Sequence, residues 1–125
     1  MKRENVSSGS KWEPMVGYSR AVRMGNMVFV AGTTANTPEA DAYTQTKEIL
    51  QRIEAALQQV GAGLNDVVQT RMFVTDISQW EEYGRAHGEV FGAIRPVTSM
   101  IEVKQLIDPK LKIEMEAIAM VGDAH

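Results

Sequence analysis

The chain has 125 residues, 44% of them hydrophobic, which is enough for one domain with a core and too few for two. Its formal net charge is −3, so the chain does not have the excess of basic residues that is typical of a general nucleic-acid binder. No apolar run approaches the roughly 20 residues of a membrane-spanning helix, and residues 1–12 are too polar for a secretory signal. We therefore expect a single cytoplasmic domain over residues 1–125 that binds neither nucleic acid nor membranes.

Metal and cofactor chemistry has little support in the composition. With zero cysteines, the chain offers no disulfide, thiolate nucleophile or cysteine-based metal site. The two histidines, His87 and His125, are far apart in sequence, which argues against a metal centre built by the protein. We expect no metal and no cofactor.

The first part of the chain predicts an arm and a hairpin. Residues 1–12 are polar and short of aliphatic side chains, which is typical of a loose arm. Residues 18–24 and 27–33 are β-prone runs separated by Gly25-Asn26. Because these two residues suit a tight turn, the pattern predicts a β-hairpin.

A long amphipathic helix is predicted over residues 38–60. Thr37 is its candidate N-cap, and Pro38 suits the first helical position. Gly61 and Gly63 follow as stop signals. The apolar positions, at three- and four-residue spacing, are Ile49, Leu50, Ile53, Ala56, Leu57 and Val60.

A strand and a second helix follow. Residues 67–74 are rich in β-branched and apolar side chains and predict a largely buried strand. Ser78 with Glu81 has capping-box spacing and opens a helix that runs to about Phe91. One face of this helix is predicted to carry Trp80, Tyr83, His87 and Phe91.

Residues 95–119 predict two alternating strands joined by a turn, with Pro96 ending the helix before them. The core-facing side chains of the second strand are Ile113, Met115, Ala117 and Ala119, so Glu114 and Glu116 share the opposite face. The predicted order is ββαβαββ, an α+β fold in which two helices cover one face of one sheet. The other face is predicted to be partly wet or buried by another subunit, and its content of Val, Ile and Met favours a subunit.

Four motifs occur in order along almost the whole chain. The last, in residues 95–119, combines Arg-Pro, a strand ending Ile-Glu-Val, and Lys-Ile-Glu-Met-Glu-Ala-Ile-Ala. The others are Gly-Tyr-Ser-Arg-Ala-Val, Gly-Asn-Met-Val-Phe-Val-Ala-Gly and Val-Val-Gln-Thr-Arg-Met-Phe-Val-Thr-Asp. Together they resemble the RidA/YjgF family of reactive-intermediate (enamine/imine) deaminases. The resemblance implies a chorismate mutase-like mixed sheet and a homotrimer with ligand clefts between neighbouring subunits.

The resemblance also implies site residues. The family glutamate that positions the attacking water matches Glu114, and the pocket tyrosine and glycine match Tyr18 and Gly32. Thr98 stands at the position of the family arginine that pairs with a substrate carboxylate. The next position, Ser99, matches the family, and Met100 stands in place of the family cysteine. The chain therefore resembles a subgroup that lacks the arginine, which weakens the expectation of deaminase activity.

Other polar residues leave alternatives open. An arginine in a buried strand needs an anionic partner, so Arg71 either pairs with Glu102 or Glu114 of the same or a neighbouring chain or replaces the missing arginine as an anion clamp. Arg20, Arg23 and Arg95 are weaker candidates, each near a strand end or turn where water is close. Glu114 and Glu116 have the alternative of being solvated or salt-bridged strand residues with Lys112 as a partner, which is the favoured interpretation for Glu116 and not for Glu114.

His87 is the only internal histidine and the default general acid or base to consider. Its place on an aromatic helix face favours a packed, hydrogen-bonded side chain instead.

Three functions follow from these patterns. The first is a homotrimeric enzyme that hydrolyses a reactive enamine or imine, with Glu114 orienting the water and with Tyr18, Gly32, Arg71, Thr98 and Ser99 binding a small molecule, expected to be a carboxylate. The second, favoured by Thr98, is a binding module that holds a metabolite in the same cleft without turnover. An endoribonuclease is a minor third alternative, because the charge is acidic and a basic-aromatic surface motif is missing.

Overall fold

The computed structural model describes residues 1–122, and the terminal residues 123–125 lie outside the description. The prediction that concerns His125 therefore stays a prediction. Among the described residues, none of the helices combines the length and apolar character needed to cross a membrane. In chain order, the elements are β1 (Arg3–Val6), α1 (Trp12–Val16), β2 (Ala21–Met24), β3 (Met27–Thr34), α2 (Ala42–Gln58), β4 (Val67–Val74), α3 (Trp80–Phe91), β5 (Val97–Glu102) and β6 (Ile113–Met120).

The strands form one six-stranded sheet in the order β1-β2-β3-β6-β4-β5. All neighbours are antiparallel except β4 and β5, which are parallel, so the sheet is mixed. Helices α2 and α3 pack together over one face. This is the predicted α+β architecture. We refer to the opposite side of the sheet as the open face.

The core lies between α2, α3 and the sheet. Many of its fully buried side chains come from the predicted apolar stripe of α2 and from the predicted inward positions of β6, because periods of 3.6 and 2 each turn one side of the element toward the core. They include Ile49, Leu50, Ile53, Leu57, Ile113, Met115 and Ala119.

The hairpin between β2 and β3 is confirmed. Met24 pairs with Met27, so Gly25 and Asn26 form a two-residue turn. Gly25 has φ +58°, a left-handed value that glycine adopts without strain.

The N-terminal arm is not loose, and that prediction was wrong. Residues Arg3–Val6 form β1, an edge strand antiparallel to β2, and the short helix α1 follows. The segment carries few apolar residues, but backbone hydrogen bonding to a neighbouring strand does not require them. The observed order is therefore βαββαβαββ.

Both predicted helix starts were wrong. Helix α2 begins at Ala42, where the Asp41 side chain accepts a hydrogen bond from the Thr44 backbone N–H, whereas the Thr37 hydroxyl donates to Glu48. Asp41 is an equally good cap, and it lies closer to the first buried turn.

Helix α3 begins at Trp80, after a 3₁₀ turn over Ile77–Gln79 that is capped by the Asp76 carboxylate. The Ser78–Glu81 capping box does not form, because the Ser78 backbone N–H and hydroxyl both donate to Asp76. Of the four residues predicted to share one face of this helix, Tyr83, His87 and Phe91 are buried, but Trp80 is 58% exposed.

The second half of the sheet also differs from prediction in its connections. Strand β4 has the predicted bounds, although its residues alternate between buried and more accessible positions instead of being largely buried. Strands β5 and β6 are not joined by a turn. Residues 103–112 connect them around β4, which lies between the two strands in the sheet.

Candidate active site

Glu114 is a half-buried carboxylate on the open face of the sheet, at the β6 position opposite Phe73 of β4. Among residues 1–122, none donates a hydrogen bond to it. Burial raises the pKa of the Glu114 carboxyl, the nearby Glu116 raises it further, and Arg20 lowers it in part. Glu114 is therefore a carboxylate that is free to bind water and has a raised pKa suited to proton transfer.

Gly32 lies directly against the Glu114 carboxylate. The register between β3 and β6 shifts between Val30 and Thr33, and this bulge brings the Gly32 backbone to the carboxylate. A Cβ added at Gly32 would lie 2.8 Å from the carboxyl carbon of Glu114 and closer still to Oε2. The φ of Gly32 is not left-handed, so close approach, and not backbone conformation, requires glycine here.

Arg20 forms hydrogen bonds with the residues of this bulge. The residue is only 7% exposed. Nη1 donates to the Gly32 carbonyl at 2.7 Å and to Thr33 Oγ1 at 3.0 Å, and Nη2 donates to the Tyr18 hydroxyl at 3.4 Å. The prediction that Arg20 is a water-exposed residue near a strand end was wrong, because α1 and the segment before β2 cover it.

Arg52 of α2 holds the next part of the same strand by donating to the Thr34 carbonyl. Burial lowers the pKa of the Arg52 guanidinium, and the proximity of Arg20 lowers it further. Two guanidinium groups therefore fix the backbone of residues 32–34, on which the position of Glu114 depends.

Glu13 is the acidic partner of this buried network and is only 4% exposed. It accepts hydrogen bonds from the Ser7 hydroxyl at 2.9 Å, from the Ser8 backbone N–H at 3.2 Å and from the Ser8 hydroxyl. Its Oε2 lies 3.9 Å from Arg20 Nε. These hydrogen bonds, chiefly that from the Ser8 side chain, lower the pKa of the Glu13 carboxyl.

Sequence reasoning missed Glu13 and undervalued Arg20. The available signal was the presence of arginines inside the β-prone run of residues 18–24, since a charge at such a position requires a partner when the strand is buried. That partner, Glu13, lies on a different element, α1, so no local pattern connects the two.

A cleft of about 820 Å³ opens beside Tyr18. It lies between β1, α1 and the β2–β3 hairpin, and its lining includes Asn5, Glu13, Tyr18, Phe29 and Ala31. The Arg20 guanidinium lies 5.6 Å from the Tyr18 ring centroid. The structure thus links the predicted residues Tyr18, Gly32 and Glu114 through Arg20, which bonds to the first two and lies near the third.

Arg71 pairs with Glu116 on the open face. The two residues are opposite each other in the β4–β6 register, and Arg71 Nη2 lies 2.7 Å from Glu116 Oε1. Within one chain, the prediction that Arg71 pairs with Glu102 or Glu114 was therefore wrong. The prediction that Lys112 is the partner of Glu116 was also wrong. Lys112 Nζ instead donates to the Ala40 carbonyl. Glu116 is salt-bridged as expected.

Thr98 and Ser99 point to opposite faces of β5. Ser99 lies opposite Arg71 of β4 on the open face, whereas the Thr98 hydroxyl bonds to Thr70 on the helix-covered side. Within one chain, Thr98 therefore does not join the group around Glu114. His87 is buried and hydrogen-bonded to Thr70, as the packed interpretation predicted.

Metal binding finds no support in the described part of the chain. Over residues 1–122, three His, Cys, Asp or Glu side chains nowhere cluster closely enough to hold an ion. The chemistry available at Glu114 is that of a carboxylate, a hydroxyl, a guanidinium and backbone groups.

Known proteins resemble this chain over nearly its full length. The family model named Endoribonuclease L-PSP matches residues 9–121. A Pyrococcus abyssi RutC family protein is 36% identical over 95% of this chain and 98% of its own length. The Arabidopsis thaliana protein named Reactive Intermediate Deaminase A, chloroplastic, is 28% identical over 95% of this chain and 66% of its own length.

A solved structure agrees with these matches. A Mycobacterium tuberculosis protein, described as a member of the YjgF/YER057c/UK114 family, is 57% identical with a TM-score of 0.93. The alignment covers 96% of this chain and 100% of that one. Sequence motifs, family model and fold therefore agree, and the chain belongs to the RidA/YjgF family.

Proposed function

We propose that this protein hydrolyses a reactive enamine or imine to a carbonyl compound and ammonia. The observation that carries this proposal is the Glu114 carboxylate, which is half-buried, receives no hydrogen bond from residues 1–122 and lies against the Gly32 backbone. A half-buried carboxylate left without a protein donor is suited to bind and orient a water molecule. The name of the Arabidopsis relative supports the same reaction class.

Imine hydrolysis requires few groups from the protein. Glu114 takes a proton from water as the water oxygen bonds to the imine carbon, the electrons of the C=N bond move to nitrogen, and Glu114 returns the proton to that nitrogen. Glu114 then carries the hydroxyl proton of the carbinolamine to the amino nitrogen, the C–N bond breaks, ammonia leaves and the C=O bond forms. The raised pKa of Glu114 favours both taking the proton and returning it.

We also propose that the protein is a homotrimer with its clefts between subunits. Support comes from the open face of the sheet, where large apolar side chains lie exposed in one chain. They include Phe29 at 45%, Val97 at 67%, Ile101 at 44% and Met120 at 50% exposed. An apolar face of this kind is typical of a protein interface. Burial of that face would bring Glu114, Ser99 and the Arg71–Glu116 pair close to a neighbouring chain.

A metabolite-binding module without turnover is the second candidate. Thr98 favours it, because a hydroxyl cannot replace the two charge-assisted hydrogen bonds of an arginine to a carboxylate. RNA cleavage has less support, since the chain has a net charge of −3. We therefore propose a small-molecule ligand for either function.

Turnover by the purified protein tests the enzymatic proposal. Unstable imines would be generated enzymatically, 2-aminoacrylate from serine and larger imines by amino-acid oxidation, and ammonia and carbonyl product would be followed. We expect hydrolysis well above the buffer rate for at least one imine, from particles with three times the 13.8 kDa chain mass in sedimentation. Buffer-level rates throughout the series, together with saturable binding of a product ketone, would support the binding module instead.

Substituting Gly32 by alanine tests the placement of Glu114. The added methyl group would overlap the Glu114 carboxylate and push it aside, so we expect the hydrolysis rate to fall at least about tenfold. Stability should change by about 1 kcal/mol or less, because the carboxylate is the end of a flexible side chain. In a Glu114→Ala background the added methyl group has no carboxylate to displace, so Gly32→Ala should have little further effect on the hydrolysis rate. Rates of the wild type, the two single variants and the double variant would show this.

A further inference from the structure

Arg20 and Glu13 form a buried pair of opposite charges next to the backbone that lies against Glu114. Both residues are more than nine-tenths buried. Arg20 Nη1 donates to the Gly32 carbonyl at 2.7 Å and to Thr33 Oγ1 at 3.0 Å. Gly32 in turn lies directly against the Glu114 carboxylate. A single residue, Gly32, therefore connects the buried pair to the carboxylate.

Separate hydrogen bonds hold the two members of the pair. Arg20 Nε lies 3.9 Å from Glu13 Oε2, which is too far for a hydrogen bond, and Nε has no hydrogen-bond partner within residues 1–122. Glu13 accepts its hydrogen bonds from Ser7 and Ser8 instead. Loss of the Glu13 charge would therefore change the electrostatic environment of Arg20 without removing a hydrogen bond from Gly32.

The charged groups around Glu114 have opposite effects on its ionisation. Burial and then Glu116 raise the pKa of the Glu114 carboxyl, whereas Arg20 lowers it. Arg71 of β4 offsets part of the Glu116 charge through their salt bridge. Three charged side chains of neighbouring segments bond elsewhere: Arg52 of α2 to the Thr34 carbonyl, Glu48 of α2 to Asn36 and Thr37, and Lys112 to the Ala40 carbonyl. Arg20 therefore supplies a positive charge that favours the ionised form of Glu114.

We propose that Arg20 and Glu13 are positioning residues for Glu114: Arg20 fixes the Gly32 bulge against the carboxylate and favours its ionised form, and Glu13 limits the effect of the Arg20 charge. Glu13 lies on α1, and the serines that hold it follow directly after β1. The N-terminal segment therefore influences how readily Glu114 takes a proton. This inference rests on the proposed function, in which Glu114 is the base that takes a proton from water.

Ionisation of Glu114 in variants of the pair tests the charge effect without turnover. The carboxyl ¹³C shift of Glu114 would be followed by NMR across pH, with Glu114→Gln identifying its signal. We expect Arg20→Met to raise the pKa of Glu114, because a positive charge is lost. Glu13→Gln should lower that pKa, because the Arg20 charge is no longer offset. Loss of stability alone does not predict shifts of opposite sign.

Arg23→Met is the matched control. Arg23 belongs to the same β-prone run, is partly buried, and donates to the Gly25 and Val60 carbonyls. The same chemical change therefore removes comparable hydrogen bonds at a place that does not contact Gly32. We expect Arg23→Met to leave the pKa of Glu114 unchanged.

Arg20→Lys separates position from charge. Lysine keeps the positive charge but not the planar guanidinium fork, so the pKa of Glu114 should stay close to that of wild type while hydrolysis slows at least about tenfold. Arg20→Lys and Glu13→Gln decide the inference if Arg20→Met does not fold.

Three results would overturn the inference: shifts of the same sign or no shift in Arg20→Met and Glu13→Gln, a shift in Arg23→Met as large as in Arg20→Met, or full hydrolysis by Arg20→Lys. Opposite shifts in a protein that hydrolyses no imine would uphold the effect of the pair on Glu114 and refute the enzymatic proposal.

Discussion

Replacing Glu114 with glutamine is expected to slow imine hydrolysis about 100-fold or more, because glutamine keeps the size of the side chain but cannot accept a proton from water. The wild-type rate should rise with pH as the carboxyl ionises, since the ionised form is the base. Burial raises the pKa of Glu114, so this rise should lie above the ordinary carboxyl value of 4.5. The variant should lose that rise, and rates measured across pH with stable protein would show it.

The matched control for this variant is Glu81→Gln. Glu81 is an exposed glutamate on α3, so the same chemical change there should leave the rate within about twofold of wild type. If Glu114→Gln retained the full rate and its pH dependence, Glu114 would not be the base, and hydrolysis would have to depend on another group of the protein.

Substitution of Arg20 by methionine is expected to lower the free energy of unfolding by about 3 kcal/mol. Methionine fills similar space, but the Gly32 carbonyl and Thr33 hydroxyl lose their donor and the buried Glu13 loses its nearby cation. The melting temperature should fall by about 10 °C. Thermal and denaturant unfolding at one fixed protein concentration would measure both, since oligomers unfold in a concentration-dependent way.

Arg85→Met is the matched control for Arg20. The Arg85 guanidinium is half-exposed and pairs with Glu82 and Glu89 on the surface of α3, so its loss should cost about 1 kcal/mol or less. Adding Glu13→Gln to Arg20→Met should recover part of the stability, because the unpaired buried carboxylate is then neutral. Equal losses for Arg20→Met and Arg85→Met would mean that the buried network contributes nothing beyond a surface pair.

The N-terminal segment belongs to the same network of buried polar contacts. The Ser7 and Ser8 donors that hold Glu13 follow directly after β1. The segment that sequence patterns predicted as a loose arm is therefore connected through Glu13 and Arg20 to Gly32, and through Gly32 to Glu114. Its low content of apolar residues concealed this, because its attachment consists of strand pairing and buried polar contacts.

The local patterns of the sequence determined much of this protein. Period-2 alternation placed Ile113, Met115 and Ala117 inside and Glu114 outside, and three- and four-residue spacing defined the buried face of α2. The bounds of β4 and the turn at Gly25 also follow from neighbouring residues. These features succeed because side-chain direction within a helix or strand is set by backbone geometry alone.

Only the tertiary structure decided which distant elements meet. The position of β6 between β3 and β4, the pairing of Arg71 with Glu116, the burial of Arg20 by α1 and the hydrogen bonds of Thr70 with Thr98 and His87 all join residues of different elements. The helix starts were predicted wrongly for a related reason. Asp41 and Asp76 supply the capping side chains, although the sequence offered equally suitable caps nearby. Long-range register and burial decide such contacts, and no local periodicity encodes them.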